Sequence, residues 1–171
     1  NVAAATAATV QVAAGTYAED IIIDRSLTLS GAGAATTSIV GPIGGPRNVT
    51  VLFMGNASNS IFEGFTVTRA GNNVADWNGA NGVLNVTGIS IQFQTLSGIT
   101  LRNNIVTGNR NGIDINDSNG HTIVNNVVSS NRTGLFFRNQ TDNLVVEENA
   151  ITGNHTAGIL FFPAVTNGTF Q

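Results

Sequence analysis

The residues best suited to chemistry are two aspartates and a histidine in the second half of the chain, Asp114, Asp117 and His121. Cleavage of a sugar polymer needs paired acidic groups a few ångströms apart, because one group protonates or deprotonates while the other assists. Asp114 stands between Ile113 and Ile115, so on a strand its side chain would point outward. The spacing does not require the three groups to converge, and we expect a solvated turn instead of a catalytic cluster.

A second acidic pair, Glu147 and Glu148, is no better placed. Neighbouring residues on a strand point in opposite directions, so the two carboxylates either diverge or occupy a turn. The sequence also contains no Ser-His-Asp order, HExxH motif, phosphate-binding loop or EF-hand. We therefore assign no catalytic residue, no metal ligand and no cofactor.

The elements that would position these groups are internal repeats. Three segments are nearly the same: ITLRNNIVTGNRNGIDI from Ile99, HTIVNNVVSSNRTGLFF from His121 and LVVEENAITGNHTAGILF from Leu144. Equivalent glycines are separated by 22 to 24 residues, at Gly88, Gly112, Gly134 and Gly158. A period of this size indicates a solenoid, in which each unit buries its apolar face against its neighbours.

Each repeat contains short alternating apolar runs, such as Ile113 with Ile115, interrupted by glycine or asparagine. These runs are long enough for strands but too short for helices. The sequence therefore predicts an all-β, single-stranded parallel β-helix of about seven coils of 22 to 24 residues, forming one domain over residues 1–171. The pair Asn103 and Asn104 recurs one coil later, and such pairs suit tight turns in which amides stack on their copies.

At this level the chain resembles a known superfamily. The segments GTYAEDIIIDRSLTLSGAG (Gly15 to Gly33) and IFEGFTVTRAGN (Ile61 to Asn72) are similar to early coils of right-handed parallel β-helix proteins of the pectin-lyase-like superfamily. The three later repeats resemble its NosD-like carbohydrate-binding and sugar-hydrolase units. The resemblance implies the fold and a right-handed coil, which the preference for right-handed crossovers also favours. It implies little about function, because one fold hosts many activities.

Composition narrows the class of partner. Charged residues make up only 10% of the chain, the net charge is −3, and all seven cations are arginine. These values disfavour nucleic acid and anionic membranes as partners, and no stretch is apolar enough to span a bilayer. The chain begins at Asn1 without a hydrophobic leader, so we expect a mature or processed chain. It has no cysteine, which excludes a disulfide framework but does not by itself indicate the cytosol. We expect a protein that is extracellular or at the cell surface.

Eight N-x-[ST] tripeptides are candidate glycosylation sites, about twice the number that composition alone generates. They begin at Asn48, Asn56, Asn85, Asn116, Asn131, Asn139, Asn154 and Asn167. Three of them, together with Asn109, precede the repeat glycines by three or four residues, so we expect this column to be a turn facing solvent. Covalent N-glycans at several sites would then keep this weakly charged surface soluble. The alternative is that asparagine-rich turns generate the pattern by composition.

The ends and one insertion complete the domain. Residues 1–9 are a possible N-terminal cap or edge segment, residues 70–87 an inserted loop, and residues 163–171 a C-terminal tail. Neither end has a clear cap, so end-to-end self-association is expected. Trp77, in the loop, either packs the loop onto the coils, which we favour, or stacks on a sugar.

Two functions remain open. The first is a non-enzymatic extracellular structural or adhesive glycoprotein, able to form head-to-tail filaments. The alternative is a carbohydrate-active protein that binds or cleaves a polysaccharide along one strand face. In that case the contact residues would be Asp114, Phe136, Arg138 and Trp77, with Asp114 stacked between Ser90 and Phe136 on adjacent coils.

Overall fold

The computed structural model describes residues 8–43, 48–71, 77, 87–92, 96–162 and 165–171. Within these ranges the chain forms nineteen strands in three parallel sheets. Successive strands visit the first, second and third sheet in turn, so every third strand returns to the same sheet one coil further on. This is a parallel β-helix, as the sequence predicts.

The strands are numbered in chain order. The first sheet contains β1 (Ala8–Val12), β4 (Leu27–Gly31), β7 (Ile61–Glu63), β10 (Thr100–Arg102), β13 (Thr122–Val124), β16 (Val145–Glu147) and β19 (Thr169–Phe170). The second sheet contains β2 (Gly15–Tyr17), β5 (Thr37–Gly41), β8 (Thr66–Arg69), β11 (Ile105–Thr107), β14 (Val127–Ser129) and β17 (Ala150–Thr152). The third sheet contains β3 (Ile21–Arg25), β6 (Val49–Asn56), β9 (Thr87–Gln92), β12 (Asn111–Asn116), β15 (Thr133–Arg138) and β18 (Ala157–Phe162).

The register between coils follows the sequence repeat. Ile113 on β12 pairs with Ile89 on β9 and with Leu135 on β15. Because parallel strands align equivalent residues, each inward apolar side chain stacks on its copy in the next coil. The fully buried residues Ile113, Ile115 and Phe137 belong to these inward columns, which form one continuous core along the solenoid.

One asparagine ladder closes the turn between the first and second sheets. The side-chain amide nitrogen of Asn104 donates to Asn126 Oδ1 at 3.1 Å, and that of Asn126 donates to Asn149 Oδ1 at 3.0 Å. The residues just before the ladder, such as Asn103 and Asn125, have left-handed backbone with φ near 55°. The expected stacking of paired asparagines at tight turns is therefore confirmed.

A second ladder at the next turn corrects one expectation. The Asn109 amide nitrogen donates to Asn131 Oδ1, and that of Asn131 donates to Asn154 Oδ1, both at 3.2 Å. Asn109 and Asn131 are buried, so the expectation that this column faces solvent is wrong. The physical reason is that backbone carbonyl groups at the turn, such as Val67 O, Val106 O and Val128 O, need donors, and the inward side-chain amides supply them.

The predicted end segments and insertion are only partly described. Of residues 1–9, Ala8 and Thr9 belong to β1, whereas residues 1–7 lie outside the described ranges; of residues 70–87, only Ala70, Gly71, Trp77 and Thr87 are described. The predicted C-terminal tail contains β19, which pairs with β16 and so begins a further coil. Among the described residues, no helix is long and apolar enough to cross a membrane.

Both end faces of the described solenoid are apolar. Near β1, a cavity of about 220 Å³ is lined mainly by Val12, Ile21, Leu29 and other inward residues of the first coils. At the opposite face, the inward residues Ile159 and Phe161 are 37% and 41% exposed. Apolar side chains are therefore exposed at this end of the described solenoid.

Candidate functional site

The outer face of the third sheet holds most of the candidate contact residues. Asp114 lies in register with Ser90 on the preceding coil and with Phe136 on the following coil, as the sequence predicts. Two residues further along these strands, Asn116 and Arg138 lie in register on adjacent coils and also point outward. Strand alternation thus brings three of the four predicted carbohydrate-contact residues, Asp114, Phe136 and Arg138, to one surface.

Asp114 and Arg138 form a two-point ion pair. Arg138 Nε donates to Asp114 Oδ1 at 2.9 Å, and Arg138 Nη2 donates to Asp114 Oδ2 at 2.8 Å. The Asp114 side chain is 2% exposed and that of Arg138 is 31% exposed. Burial raises the pKa of the Asp114 carboxyl above its usual value, while the bonds from Arg138 and Asn111 oppose that rise. The carboxylate is therefore inaccessible and fixes the guanidinium above it.

Aromatic and aliphatic side chains surround the fixed guanidinium. Arg138 lies over the Phe136 ring, with its central carbon 5.2 Å from the ring centroid. One coil further on, Leu160 lies beside Phe136 and Phe162 lies beside Arg138, with exposed fractions of 38% and 67%. We call these four residues, Phe136, Arg138, Leu160 and Phe162, the outer patch.

Sequence reasoning missed Leu160 and the role of Phe162 in this surface. The alternation that places Asp114 outward also places Leu160 and Phe162 outward two coils later. Their outward position could therefore have been predicted from the repeat alignment. The ion pair between Asp114 and Arg138 could not be predicted from the repeat alignment, because the two residues occupy different outward columns.

The three candidate residues Asp114, Asp117 and His121 make separate contacts. Asp117 lies in a left-handed turn with φ of 49°, and its Oδ1 accepts a weak 3.4 Å bond from Gln140 N. Asp114 and His121 are both buried, so the expectation of a solvated turn is wrong for them. Each has its own partners, because buried polar groups need hydrogen bonds: Asp114 accepts from Arg138, and His121 bonds within its turn.

His121 is part of the turn itself. Its Nδ1 accepts from the Ile99 backbone N–H at 3.2 Å, and its Nε2 lies 2.7 Å from Ser118 Oγ. Ser118 Oγ in turn donates to Leu96 O at 2.9 Å, which assigns the proton of the neutral ring to Nε2. Burial lowers the pKa of His121 to about 4. The residue is a structural histidine with both nitrogens in use.

The glutamate pair is also separated. Glu147 lies at the end of β16, whereas Glu148 occupies the following left-handed turn with φ of 56°.

Trp77 is 6% exposed, and its ring centroid lies 6.0 Å from that of His155. Little of the Trp77 ring is therefore available to stack on a sugar, and Trp77 is not part of the outer patch.

The sequons fall into three groups. Asn56, Asn139 and Asn167 are exposed, whereas Asn48, Asn116 and Asn154 are half-buried. Asn131 is buried, and its amide nitrogen, the atom that would carry a glycan, donates to Val106 O and Asn154 Oδ1. Asn85 lies outside the described residues. Glycosylation stays a prediction, and a glycan at Asn131 would require the ladder to open.

The chain offers few soft metal donors. It contains no cysteine, one methionine (Met54) and two histidines. Among the described residues, no three or more His, Cys, Asp or Glu side chains form a group that could hold a metal ion.

Solved structures similar to this chain are β-helix proteins that carry the names of carbohydrate-active enzymes. The catalytic domain of a GH87 alpha-1,3-glucanase in complex with nigerose matches 91% of this chain and 27% of its own, with TM-score 0.72 and 19% identity. Pectin methylesterase PemA from Erwinia chrysanthemi matches 84% of this chain and 48% of its own, with TM-score 0.57 and 13% identity. At these identities the similarity shows the fold alone, and the chain spans less than half the length of either structure.

No curated protein matches the chain at a significant level. A family model described as "Periplasmic copper-binding protein (NosD)" matches residues 35–171. Copper sites use thiolate, thioether or imidazole ligands, but both nitrogens of His121 are occupied and the described residues form no donor group. The residues that the structure describes therefore do not fit a copper site. Since the family model covers most of the chain and the fold agrees, this right-handed β-helix belongs to the NosD family.

Proposed function

We propose that this chain is a non-catalytic polysaccharide-binding β-helix that acts outside the cytoplasm, in the periplasm or at the cell exterior. Its ligand would lie against the outer patch of the third sheet. The observation that carries this proposal is the guanidinium of Arg138, held by Asp114 at 2.8 and 2.9 Å and by the Phe136 ring, beside the exposed ring of Phe162.

The outer patch matches the chemistry of a sugar polymer. A pyranose ring presents apolar C–H faces and hydroxyl edges, so a site for it combines apolar side chains with a few fixed polar groups. Phe162 and Leu160 supply the apolar surface. The guanidinium has five N–H donors, and Asp114 accepts from two of its nitrogens, which leaves further donors on a group that is already held in place.

The same geometry argues for binding without cleavage. Glycoside hydrolysis uses two carboxyl groups about 5 to 10 Å apart on either side of the bond. Asp114 is buried under Arg138, and its neighbours in the stack are Ser90 and Phe136. Asp114 is therefore a positioning residue for Arg138. Support for the substrate class comes from the similar structures, which are named as a glucanase with nigerose and as pectin methylesterases.

The test is binding of the purified chain to insoluble alpha-1,3-glucan and to polygalacturonate, measured by co-sedimentation. Phe162→Ala should weaken binding about three- to tenfold, because an aromatic contact contributes roughly 1 kcal/mol. Val127→Ala, which shortens an apolar side chain that is 41% exposed on the second sheet, is the matched control.

The role of Arg138 is tested by the double change Asp114→Asn and Arg138→Gln. Changing both residues avoids leaving a buried carboxylate without its partner, which would destabilise the fold. Weaker binding with an unchanged circular dichroism spectrum supports the proposal. Wild-type protein that binds neither polymer, or variants that bind as well as the control, would overturn it.

A structural role through end-to-end association is a second candidate. The apolar end faces favour it, since the rings of Phe161 and Phe170 lie 5.3 Å apart at one face and the 220 Å³ cavity lies at the other. Contact between unlike end faces would extend into a filament, whether or not the outer patch binds a polysaccharide.

A further inference from the structure

Two arginines and a histidine form a column at the turn between the second and third sheets. Arg110, Arg132 and His155 each follow one residue of the ladder formed by Asn109, Asn131 and Asn154. Backbone bonds from Arg132 N to Asn109 O at 2.9 Å and from His155 N to Asn131 O at 2.7 Å place the three residues at equivalent positions on successive coils. Their backbones are therefore about 4.8 Å apart. We call these three residues the basic column.

The two arginines of this column have no acidic partner among the residues that the structure describes. The four ion pairs among the described residues involve Arg25, Arg69, Arg102 and Arg138. The Nε atoms of Arg110 and Arg132 are buried and donate to no acceptor. Burial and the nearby charge of Arg132 lower the pKa of Arg110, although a guanidinium stays charged at neutral pH.

This arrangement is unfavourable without a ligand. Stacked like charges repel each other, and a buried N–H without an acceptor loses its hydrogen bond to water. In a chain with net charge −3, the carboxylates that do pair with arginines, Asp20, Asp24, Glu63 and Asp114, pair with others than Arg110 and Arg132. A carboxylate from outside would relieve both costs, because guanidinium groups bind planar oxyanions with two parallel hydrogen bonds.

We infer that the basic column binds the carboxylate groups of an acidic polysaccharide. This inference rests on the proposed function and narrows its ligand class. Arg110 and Arg132 precede Asp114 and Phe136 by four residues, so the column borders the outer face of the third sheet within about 13 Å of the outer patch along a strand. One polymer could therefore contact both surfaces. Trp77, packed on His155, supports the lower end of the column.

Nucleic acid is a poorer fit for this site. Recognition of a phosphate backbone depends on several cations spread over a basic surface. Here the positive groups form one short column on an acidic protein with no lysine. A carboxylated sugar polymer needs only local cations beside an apolar surface, and both are present.

The experiment compares polygalacturonate with its fully methyl-esterified form by calorimetry. The two polymers share a backbone and differ in charge. The double variant Arg110→Gln with Arg132→Gln should bind polygalacturonate about 100-fold more weakly, since each of the two arginines loses a charged hydrogen bond that contributes about tenfold. Its affinity for the esterified polymer should stay at the wild-type value. The matched control is Arg25→Gln with Arg102→Gln, which removes the same charge from side chains that are 76% and 42% exposed.

The outcomes separate the two proposals. If wild-type protein binds neither form of polygalacturonate, this inference fails. The proposed function fails as well only if alpha-1,3-glucan is also not bound. If both polymers bind and the Arg110 and Arg132 variant weakens polygalacturonate no more than the control does, this inference is overturned while the proposed function stands. Equal affinity for a single-stranded DNA of matched charge would also overturn it. Dextran sulfate in place of polygalacturonate tests whether the column takes sulfate as well as carboxylate, and binding stronger than that of polygalacturonate would overturn the assignment to carboxylate.

A folding readout accompanies the binding test. Without ligand, Arg132→Gln should unfold at a temperature no lower than that of wild-type protein, because it removes a repulsive contact. Polygalacturonate should raise the unfolding temperature of wild-type protein but not that of the double variant. A variant that unfolds at a clearly lower temperature would mean that the arginines serve the fold, which would contradict the inference.

Discussion

At the scale of single residues, His121 makes folding sensitive to pH. Its pKa is about 4 in the folded protein, against about 6.5 in an unfolded chain. The unfolded state therefore binds the proton more readily, so stability is fully present above pH 6.5 and falls as the pH drops toward 4. The expected loss of unfolding free energy across this window is about 3 kcal/mol, measured by urea denaturation at pH 7 and pH 4.

Two variants isolate this effect. His121→Gln should lose much of the pH dependence between pH 6.5 and 4, whereas His155→Gln, at an exposed position, should keep it. Hydrogen bonds from Thr166 lower the pKa of Asp142 below its usual value of 3.8. Its contribution to stability is therefore lost mainly below pH 3.8, outside the range from pH 6.5 to 4. Equal slopes for wild-type protein and His121→Gln would show that the assignment is mistaken.

At the scale of the strand and turn, the repeat glycines allow coils to approach closely. A Cβ atom at Gly134 would lie 2.5 Å from Gly158 O and 2.8 Å from Asn154 Nδ2. Gly134→Ala should therefore destabilise the protein by about 1 to 3 kcal/mol, the usual cost of overpacking. The expected signature in chemical denaturation is a lower midpoint.

Gly158 is the matched control in the same column. A Cβ atom there would meet only Ile151 Cγ2 at 3.4 Å, which is an ordinary contact. Gly158→Ala should therefore change the midpoint little. If both alanine variants were equally destabilised, the cost would come from backbone freedom and not from contact with the next coil.

At the scale of the whole molecule, the two apolar end faces predict concentration-dependent association. Contact of the Phe161 face with the cavity face buries surface that water now contacts, which favours stacking by the hydrophobic effect. Sedimentation velocity should give larger species as protein concentration rises. Phe161→Asp should suppress them by placing a charge in that contact.

Phe162→Asp is the control for this prediction. Phe162 is adjacent in sequence and more exposed, but it points outward on the third sheet instead of toward the end face. Its replacement should leave association unchanged while weakening polysaccharide binding. A protein that stays monomeric at every concentration would exclude the end-to-end contact.

Much of the fold can be predicted because it is local and periodic. The glycine spacing, the alternation of Ile113 and Ile115 and the paired asparagines each reflect a requirement that recurs in every coil. Parallel pairing then aligns equivalent residues, so the stacking of Asp114 between Ser90 and Phe136 follows from the repeat alone.

The site could be predicted only in part. Sequence reasoning placed Asp114, Phe136 and Arg138 on one face, but it did not pair Asp114 with Arg138 or find Phe162. It also placed Asn131 in solvent, because an N-x-T-G turn reads the same whether its asparagine points inward or outward. That choice depends on carbonyl groups such as Val106 O, 25 residues earlier in the chain.

The sequence by itself determined the coil: its period, its short strands, its stacked turns and its membership of a β-helix superfamily. The tertiary structure decided which polar groups are inside, which arginines have partners and which apolar residues remain exposed. The physical reason is that strand and turn preferences act over a few residues, whereas ion pairs and buried amides depend on side chains that meet only after the coils have stacked.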